Sequence, residues 1–132
     1  MRRDAYHSYV AGAKQLSAAW RRAYIKLRES DSTPADWQVC FAEAHDAWVE
    51  FSTAAAVVSI AGPRAVADAA DELRGAMAAW EEVVMPWIRQ AVRDGDSRFD
   101  DFKDRFDDAA EAKRAPDKAF QEAARRALGT ED

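Results

Sequence analysis

The sequence predicts an all-α protein, an antiparallel bundle of four helices in which three are long and the fourth has two parts. Nearly every large apolar residue falls on a stripe with helical spacing, and turn-forming residues separate the stripes. Leu, Ile, Val and Phe make up only 22 of the 132 residues, whereas Ala occurs 30 times. This composition excludes a parallel sheet rich in Val and Ile. The length predicts a single domain, residues 1–132.

The first helix is predicted over about residues 2–29. Its apolar stripe, roughly 120° wide, suits a helix that faces a core, and it contains Tyr6, Tyr9, Val10, Ala13, Leu16, Trp20, Tyr24 and Leu27. Basic side chains point away from this stripe: Arg3, Lys14, Arg21, Arg22 and Lys26. Residues 1–29 carry seven positive and two negative charges, whereas residues 30–60 carry five negative charges and no positive one. The prediction is a basic helix paired with an acidic one; the alternative is a basic surface facing an anionic membrane or an acidic partner.

The second helix is predicted over about residues 34–60. Thr33 is a natural N-cap, Pro34 suits the first helical position, and Asp36 adds negative charge where the helix dipole favours it. Apolar residues alternate four and three apart, as in a coiled-coil seam: Trp37, Phe41, Ala44, Trp48, Phe51, Ala55 and Val58. This seam supports the hypothesis that the chain associates with itself. Residues 56–60 are also compatible with a strand, but no second strand is available to pair with it, which favours helix.

The third helix is predicted to begin at Pro63, to kink near Pro86, and to end at about residue 93. Its stripe contains Val66, Ala69, Ala70, Leu73, Ala76, Met77, Trp80, Val84, Trp87, Ile88 and Ala91. A turn follows at residues 94–97.

The two-part fourth helix contains an Asp-rich stretch. Within residues 98–114 one face holds Phe99, Phe102, Phe106, Ala109 and Ala110, and the other is dense in Asp. The segment 94–115 is therefore either an amphipathic helix with a narrow stripe or a mobile segment that is ordered only on contact. Pro116 is predicted to restart the chain as a short terminal helix that stops at Gly129.

Patterns that would indicate chemistry are incomplete. Asp94-Gly95-Asp96 opens like a calcium loop, but Phe99 and Arg105 stand where such a loop needs Gly and Glu. Cys40 is predicted to be buried and inert, and His45 lies about 140° away from it on the helix. His45 is interpreted as a residue at the edge of the core with a satisfied hydrogen bond. We therefore predict no catalytic residue, no metal and no cofactor.

The tryptophans have two interpretations. Bulky Trp opposite small Ala is a usual way to fill a helical bundle, so a core role is the first. Stacked aromatic rings also bind apolar ligands, so Trp37, Trp48, Trp80 and Trp87, with His45, are alternatively a ligand or partner surface in a cleft between helices two and three.

Three short motifs resemble a known group. They are Arg2-Arg3-Asp4-Ala5-Tyr6 with Tyr9-Val10, then Val57-Val58-Ser59-Ile60-Ala61-Gly62-Pro63 with Val66 and Ala69-Ala70, and finally Phe120 with Ala123-Ala124-Arg125, Ala127, Leu128 and Gly129. They are similar to motifs of small actinobacterial α-helical proteins of uncharacterised function. Members of that group often carry an N-terminal membrane helix with the helical domain on the cytoplasmic side. This sequence departs from them by starting at the basic end of helix one, without that anchor.

These observations predict a non-enzymatic helical interaction or scaffold module that associates with a protein partner or with a second copy of itself. The alternative is a small-molecule-binding bundle. The net charge of −5 disfavours nucleic acid as a partner, and helix one is the candidate for weak contact with a membrane surface. A single cysteine and no secretion signal favour a cytoplasmic location, with the inner face of the membrane as the alternative.

Overall fold

Five helices form the protein in the computed structural model, which describes residues 2–97 and 100–129, with Asp100 described by its backbone alone. They are α1 (Arg2–Arg28), α2 (Pro34–Ala61), α3 (Arg64–Asp94), α4 (Asp100–Ala112) and α5 (Arg114–Gly129). Only Lys113 separates α4 from α5, so these two occupy the place of one long helix. The predicted all-α bundle with a two-part fourth helix is confirmed, and residues 56–60 are helical. Phe99 lies outside the described residues.

The helices run alternately up and down. Tyr9 of α1 lies against Ala70 of α3, and Trp20 lies against Trp80, so these two helices run parallel to each other. α2 packs against both of them on one side, and α4 with α5 packs against them on the other. α2 therefore has neighbours on its inner side, and its outer side faces away from the bundle.

The N-terminus of α2 has the cap that the sequence predicts. The Thr33 hydroxyl accepts a hydrogen bond from the backbone N–H of Asp36, and the Asp36 carboxylate accepts one from the backbone N–H of Thr33, at 3.0 Å. This capping box satisfies two backbone donors that the first turn of a helix otherwise leaves unpaired. It also holds the pKa of Asp36 below its usual value.

Two prolines act differently from the prediction. Pro63 is the N-cap of α3, so the helix begins one residue later, at Arg64. Pro116 lies inside the first turn of α5, so the short terminal helix predicted to start at Pro116 exists but starts two residues earlier, at Arg114. Proline is tolerated there because the first-turn N–H groups have no partner within the helix. Pro86 lies within α3, which continues to Asp94 and ends at Gly95 in a left-handed conformation, with φ at 68°.

Aromatic rings packed against small residues make the core. Trp20, Trp80 and Tyr9 are fully buried, and the Tyr9 ring lies 4.7 Å from that of Phe120 and 5.0 Å from that of Phe51. Ring pairs at such separations add about 0.5–1.5 kcal/mol beyond the burial of their area. The Tyr9 hydroxyl donates to the carbonyl of Ala70 at 2.7 Å, and burial raises the pKa of Tyr9 well above its usual range.

Gly12 lets α1 approach α2 closely. A Cβ atom at this position would lie 3.4 Å from the Cα of Phe51, close to van der Waals contact. Among the described residues, no helix has both the length and the apolar character needed to span a bilayer.

Candidate interaction surface

The outer side of α2 carries large apolar side chains that face solvent. Val39 is 57% exposed, Val49 49%, Val57 48% and Ile60 87%. Single exposed apolar residues are ordinary, but several on one face of one helix form a candidate interaction surface.

These side chains belong to one stripe, which we call the outer row. Except for the neighbours Ala56 and Val57, its members follow one another three or four residues apart, so they lie on one face of the helix. They are Val39, Ala42, Asp46, Val49, Thr53, Ala56, Val57 and Ile60. The structure exposes every one of them. At a rise of about 1.5 Å per residue the row is about 32 Å long. Asp46 is its one charged member.

The seam that the sequence assigned to self-association lies inside the bundle instead. Ala44, Phe51 and Val58 are 0% exposed, and Ala55 is 4% exposed. Contacts with α1 and α3 therefore occupy most of this seam, and only Phe41 and Trp48 keep part of their side chains exposed. The hypothesis that this seam mediates self-association is corrected: α2 has two apolar faces, and the one left uncovered is the outer row.

The borders of the outer row are polar, and the border nearer α1 is acidic. Glu43 on that border lies 3.7 Å from Arg22 of α1, with both side chains half exposed or more. Glu50 follows seven residues later, on the same side of the helix. On the border nearer α3 lie Gln38 and His45. α2 has four acidic residues and no basic one, so the outer row is an apolar strip on an acidic helix.

The predicted tryptophan surface is mostly core. Trp80 is 0% exposed, Trp87 1% and Trp37 3%, whereas Trp48 is half-buried. The indole N–H of Trp37 donates to the Ser32 hydroxyl at 2.9 Å. The indole N–H of Trp87 donates to the carbonyl of Ser97 at 3.1 Å.

The cleft predicted between helices two and three exists in a different form. It is a groove of about 270 Å³, lined by Gln38, Phe41, Ile88, Arg89, Val92 and Arg93. No tryptophan lines it, so the predicted Trp-lined cleft is replaced by a groove with an apolar floor and two arginines. Trp37 borders another cavity, of about 520 Å³, formed by the loops at one end of the bundle.

His45 and Cys40 lie in different environments on α2. His45 is exposed, so its interpretation as an edge-of-core residue is wrong. Cys40 is 8% exposed, and burial, helped by Glu43, raises the pKa of its thiol. A raised pKa lowers the fraction of the reactive thiolate. On the neighbouring helix, burial and Glu82 raise the pKa of Glu81.

The basic residues of α1 are divided between two sides of the bundle. Arg22 and Lys26 border α2, next to Glu43. Arg21 borders α4, and its guanidinium carbon lies 5.5 Å from the centre of the Trp80 ring. Arg3 and Lys14 are exposed. The contact between Arg22 and Glu43 agrees with a basic helix paired with an acidic one, although an exposed ion pair of this kind contributes at most about 1 kcal/mol.

In the described part of the chain, no group of three His, Cys, Asp or Glu side chains is placed to hold a metal ion. The fold and surface thus define a class of protein: a small all-α bundle with an uncovered apolar helix face. No family model, no curated protein and no solved structure matches the chain.

Sequence reasoning missed the outer row, although its signal is present. Val39, Val49, Val57 and Ile60 stand at helical spacing on the face opposite the seam. The nearly continuous apolar stretch of residues 51–61 is typical of a helix buried on most sides. In the structure, its residues alternate between the core and the solvent.

Proposed function

We propose that this chain is a non-enzymatic helical interaction module that associates with a second copy of itself through the outer row of α2. The observation that carries this proposal is the exposure of Val39, Val49, Val57 and Ile60 on one face of one helix. Covering such side chains removes apolar surface from water, at about 25 cal/mol per Å². One helix face is smaller than a standard interface, so we expect a weak dimer, with a dissociation constant on the order of micromolar.

The charge around the row favours protein over the other polymeric partners. An anionic membrane or a nucleic acid repels Glu43, Asp46 and Glu50, and no basic residue of α2 offsets them. The basic side chains of α1 beside α2 are Arg22 and Lys26, and each has an acidic neighbour, Glu43 and Glu29 respectively. A second copy carries the same acidic residues, but it can place its uncharged residues 51–61 opposite them, so protein pairing avoids the repulsion that a polyanion meets along its whole length.

Val49→Asp tests the proposed surface. Val49 lies near the middle of the row, so this change places a carboxylate in the contact and adds to the negative charge of α2. We expect the dissociation constant of the dimer to rise at least tenfold, or about 1.4 kcal/mol. Sedimentation velocity over a concentration series measures this dissociation constant.

Ala79→Asp is the matched control, because Ala79 is exposed on α3 and lies outside the row. Both variants change surface positions, so their free energies of unfolding are expected to stay within about 0.5 kcal/mol of the original in the monomer. A chain that remains monomeric at millimolar concentration, or an equal loss of association in both variants, would show that the outer row does not bind a second copy.

A second candidate function is supported by the groove between α2 and α3. Phe41, Ile88 and Val92 give it an apolar floor, and Arg89 with Arg93, one turn apart on α3, supply positive charge at its rim. Its volume lies just below the roughly 300–1,000 Å³ typical of sites for drug-sized ligands. This combination suits a small organic anion with an apolar body, such as a medium-chain carboxylate.

Octanoate tests the groove, with octanol as the matched neutral ligand. We expect octanoate to raise the unfolding temperature, because a ligand at about 100 times its dissociation constant stabilises the native state by about 2.7 kcal/mol. The double variant R89Q/R93Q is expected to abolish this shift while leaving sedimentation unchanged. Equal stabilisation by octanol, or none by octanoate, would remove this candidate.

A further inference from the structure

The outer row has a sequence that can pair with the same row of a second copy running in the opposite direction. Its midpoint lies between Val49 and Glu50. Positions at equal distances from that midpoint are Val39 and Ile60, Ala42 and Val57, and Asp46 and Thr53. All six of these side chains are exposed. Two copies of α2 that cross antiparallel at this midpoint therefore match apolar with apolar in two of these pairs, Val39 with Ile60 and Ala42 with Val57, and place Asp46 opposite the uncharged Thr53.

We propose that two copies of the chain pair antiparallel along α2, with a two-fold axis at the level of Val49. This inference rests on the proposed function and adds the direction and register of the contact. An interface related by a two-fold axis uses the same patch on both copies, and residue i contacts j while j contacts i. Spacings of three and four residues along the row allow side chains of one helix to fit between those of the other.

Charge decides between the two directions of pairing. The acidic residues of α2 lie in its first part, up to Glu50, and residues 51–61 are uncharged. A parallel pair would place Glu43, Asp46 and Glu50 each against its own copy, and like charges in direct opposition are destabilising. The antiparallel pair places Asp46 opposite Thr53 and Glu43 opposite Ala56.

The row is also accessible to a second helix. Smaller residues, Ala42, Thr53 and Ala56, lie along it among the larger Val and Ile side chains. Packed helix axes lie about 8–10 Å apart, depending on the side chains at the contact. The core residues of α2 are on its opposite side, so α1 and α3 do not cover the row.

Single cysteines placed in the row test the direction of pairing. Cys40 is replaced by Ala, and Val39→Cys, Val49→Cys and Ile60→Cys are made separately and oxidised under mild conditions. We expect Val49→Cys to form a disulfide-linked dimer by itself. Val39→Cys and Ile60→Cys, whose positions are about 32 Å apart along the helix, should link only when the two variants are mixed. Non-reducing gel electrophoresis measures the linked fraction.

Each outcome has a separate meaning. Linkage of Val39→Cys to itself and of Ile60→Cys to itself shows parallel pairing and overturns the inference, whereas the proposed function survives. A sedimenting dimer without linkage at any of the three positions also overturns it. A monomer in sedimentation, with no linkage above that of the exposed control Ala79→Cys, overturns both. If Cys40→Ala weakens the dimer, Cys40 is retained, because its thiol is buried.

Discussion

Replacing Trp80 by Ala is expected to destabilise the protein by about 3–5 kcal/mol, the usual cost of deleting a large buried aromatic side chain. Trp80 is 0% exposed. Its ring lies 5.0 Å from that of Trp20 and 5.4 Å from that of Phe106. Trp80 belongs to α3 and packs against both α1 and α4. The cavity left by Ala therefore weakens the packing of α3 against both of these helices. Domains of this size have total stabilities of about 5–15 kcal/mol, so the loss is a large fraction of the whole.

Urea unfolding followed by far-ultraviolet circular dichroism measures this effect, and Trp80→Phe and Ile60→Ala are its controls. Trp80→Phe keeps an aromatic ring and removes an indole N–H that has no hydrogen-bond partner among the described residues. We therefore expect it to cost less than Trp80→Ala. Ile60 is 87% exposed, so Ile60→Ala should change the free energy of unfolding by less than about 0.5 kcal/mol. Equal effects of Trp80→Ala and Ile60→Ala would contradict a core role for this tryptophan.

The helices were predictable because local rules determine them. Thr33 with Asp36 forms the expected cap, and Gly95 ends α3 where the turn was predicted. The start of α5 differs from the prediction by two residues, because proline is as common within the first turn of a helix as at its first residue. Since that first turn already leaves backbone N–H groups unpaired, the sequence alone does not distinguish the two positions.

The interaction surface was less predictable, because α2 has two apolar faces with the same helical spacing. Spacing alone does not say which face packs inside. The face with Trp37 and Phe51 does so, since large rings bury more area than Val39 or Val49 on the other side. The groove between α2 and α3 depends on Arg89 meeting Phe41 across two helices. The alignment of α2 against α3 follows from tertiary packing, and the periodicity within one helix does not predict it.

The Asp-rich helix α4 depends on docking more than the other helices do. Its exposed face carries Asp101, Asp104, Asp107 and Asp108, and like charges three or four residues apart weaken an isolated helix. Lys103 lies 3.7 Å from Asp107, but this ion pair is exposed and offsets little of the repulsion among the aspartates.

Phe106 is the anchor that holds α4. It is 3% exposed, and its ring stacks 4.3 Å from that of Tyr24 and meets that of Trp80 at 5.4 Å. Phe102 is half-buried, and its ring lies parallel to that of Trp87 at 5.8 Å. Replacing Phe106 by Ala is therefore expected to release α4 while the packing of α1, α2 and α3 remains.

Hydrogen exchange measured by mass spectrometry tests the release of α4 by Phe106→Ala. We expect the protection of residues 100–112 to fall by about 2–4 kcal/mol, most of the cost of deleting a buried Phe. Peptides from α2 should keep their protection, because α2 makes no substantial contact with α4. Phe102→Ala is the control and should have a smaller effect on the same peptides. A uniform loss of protection in all helices would mean that α4 unfolds only together with the rest of the bundle. Unchanged exchange in α4 would mean that contacts other than those of Phe106 hold it in place.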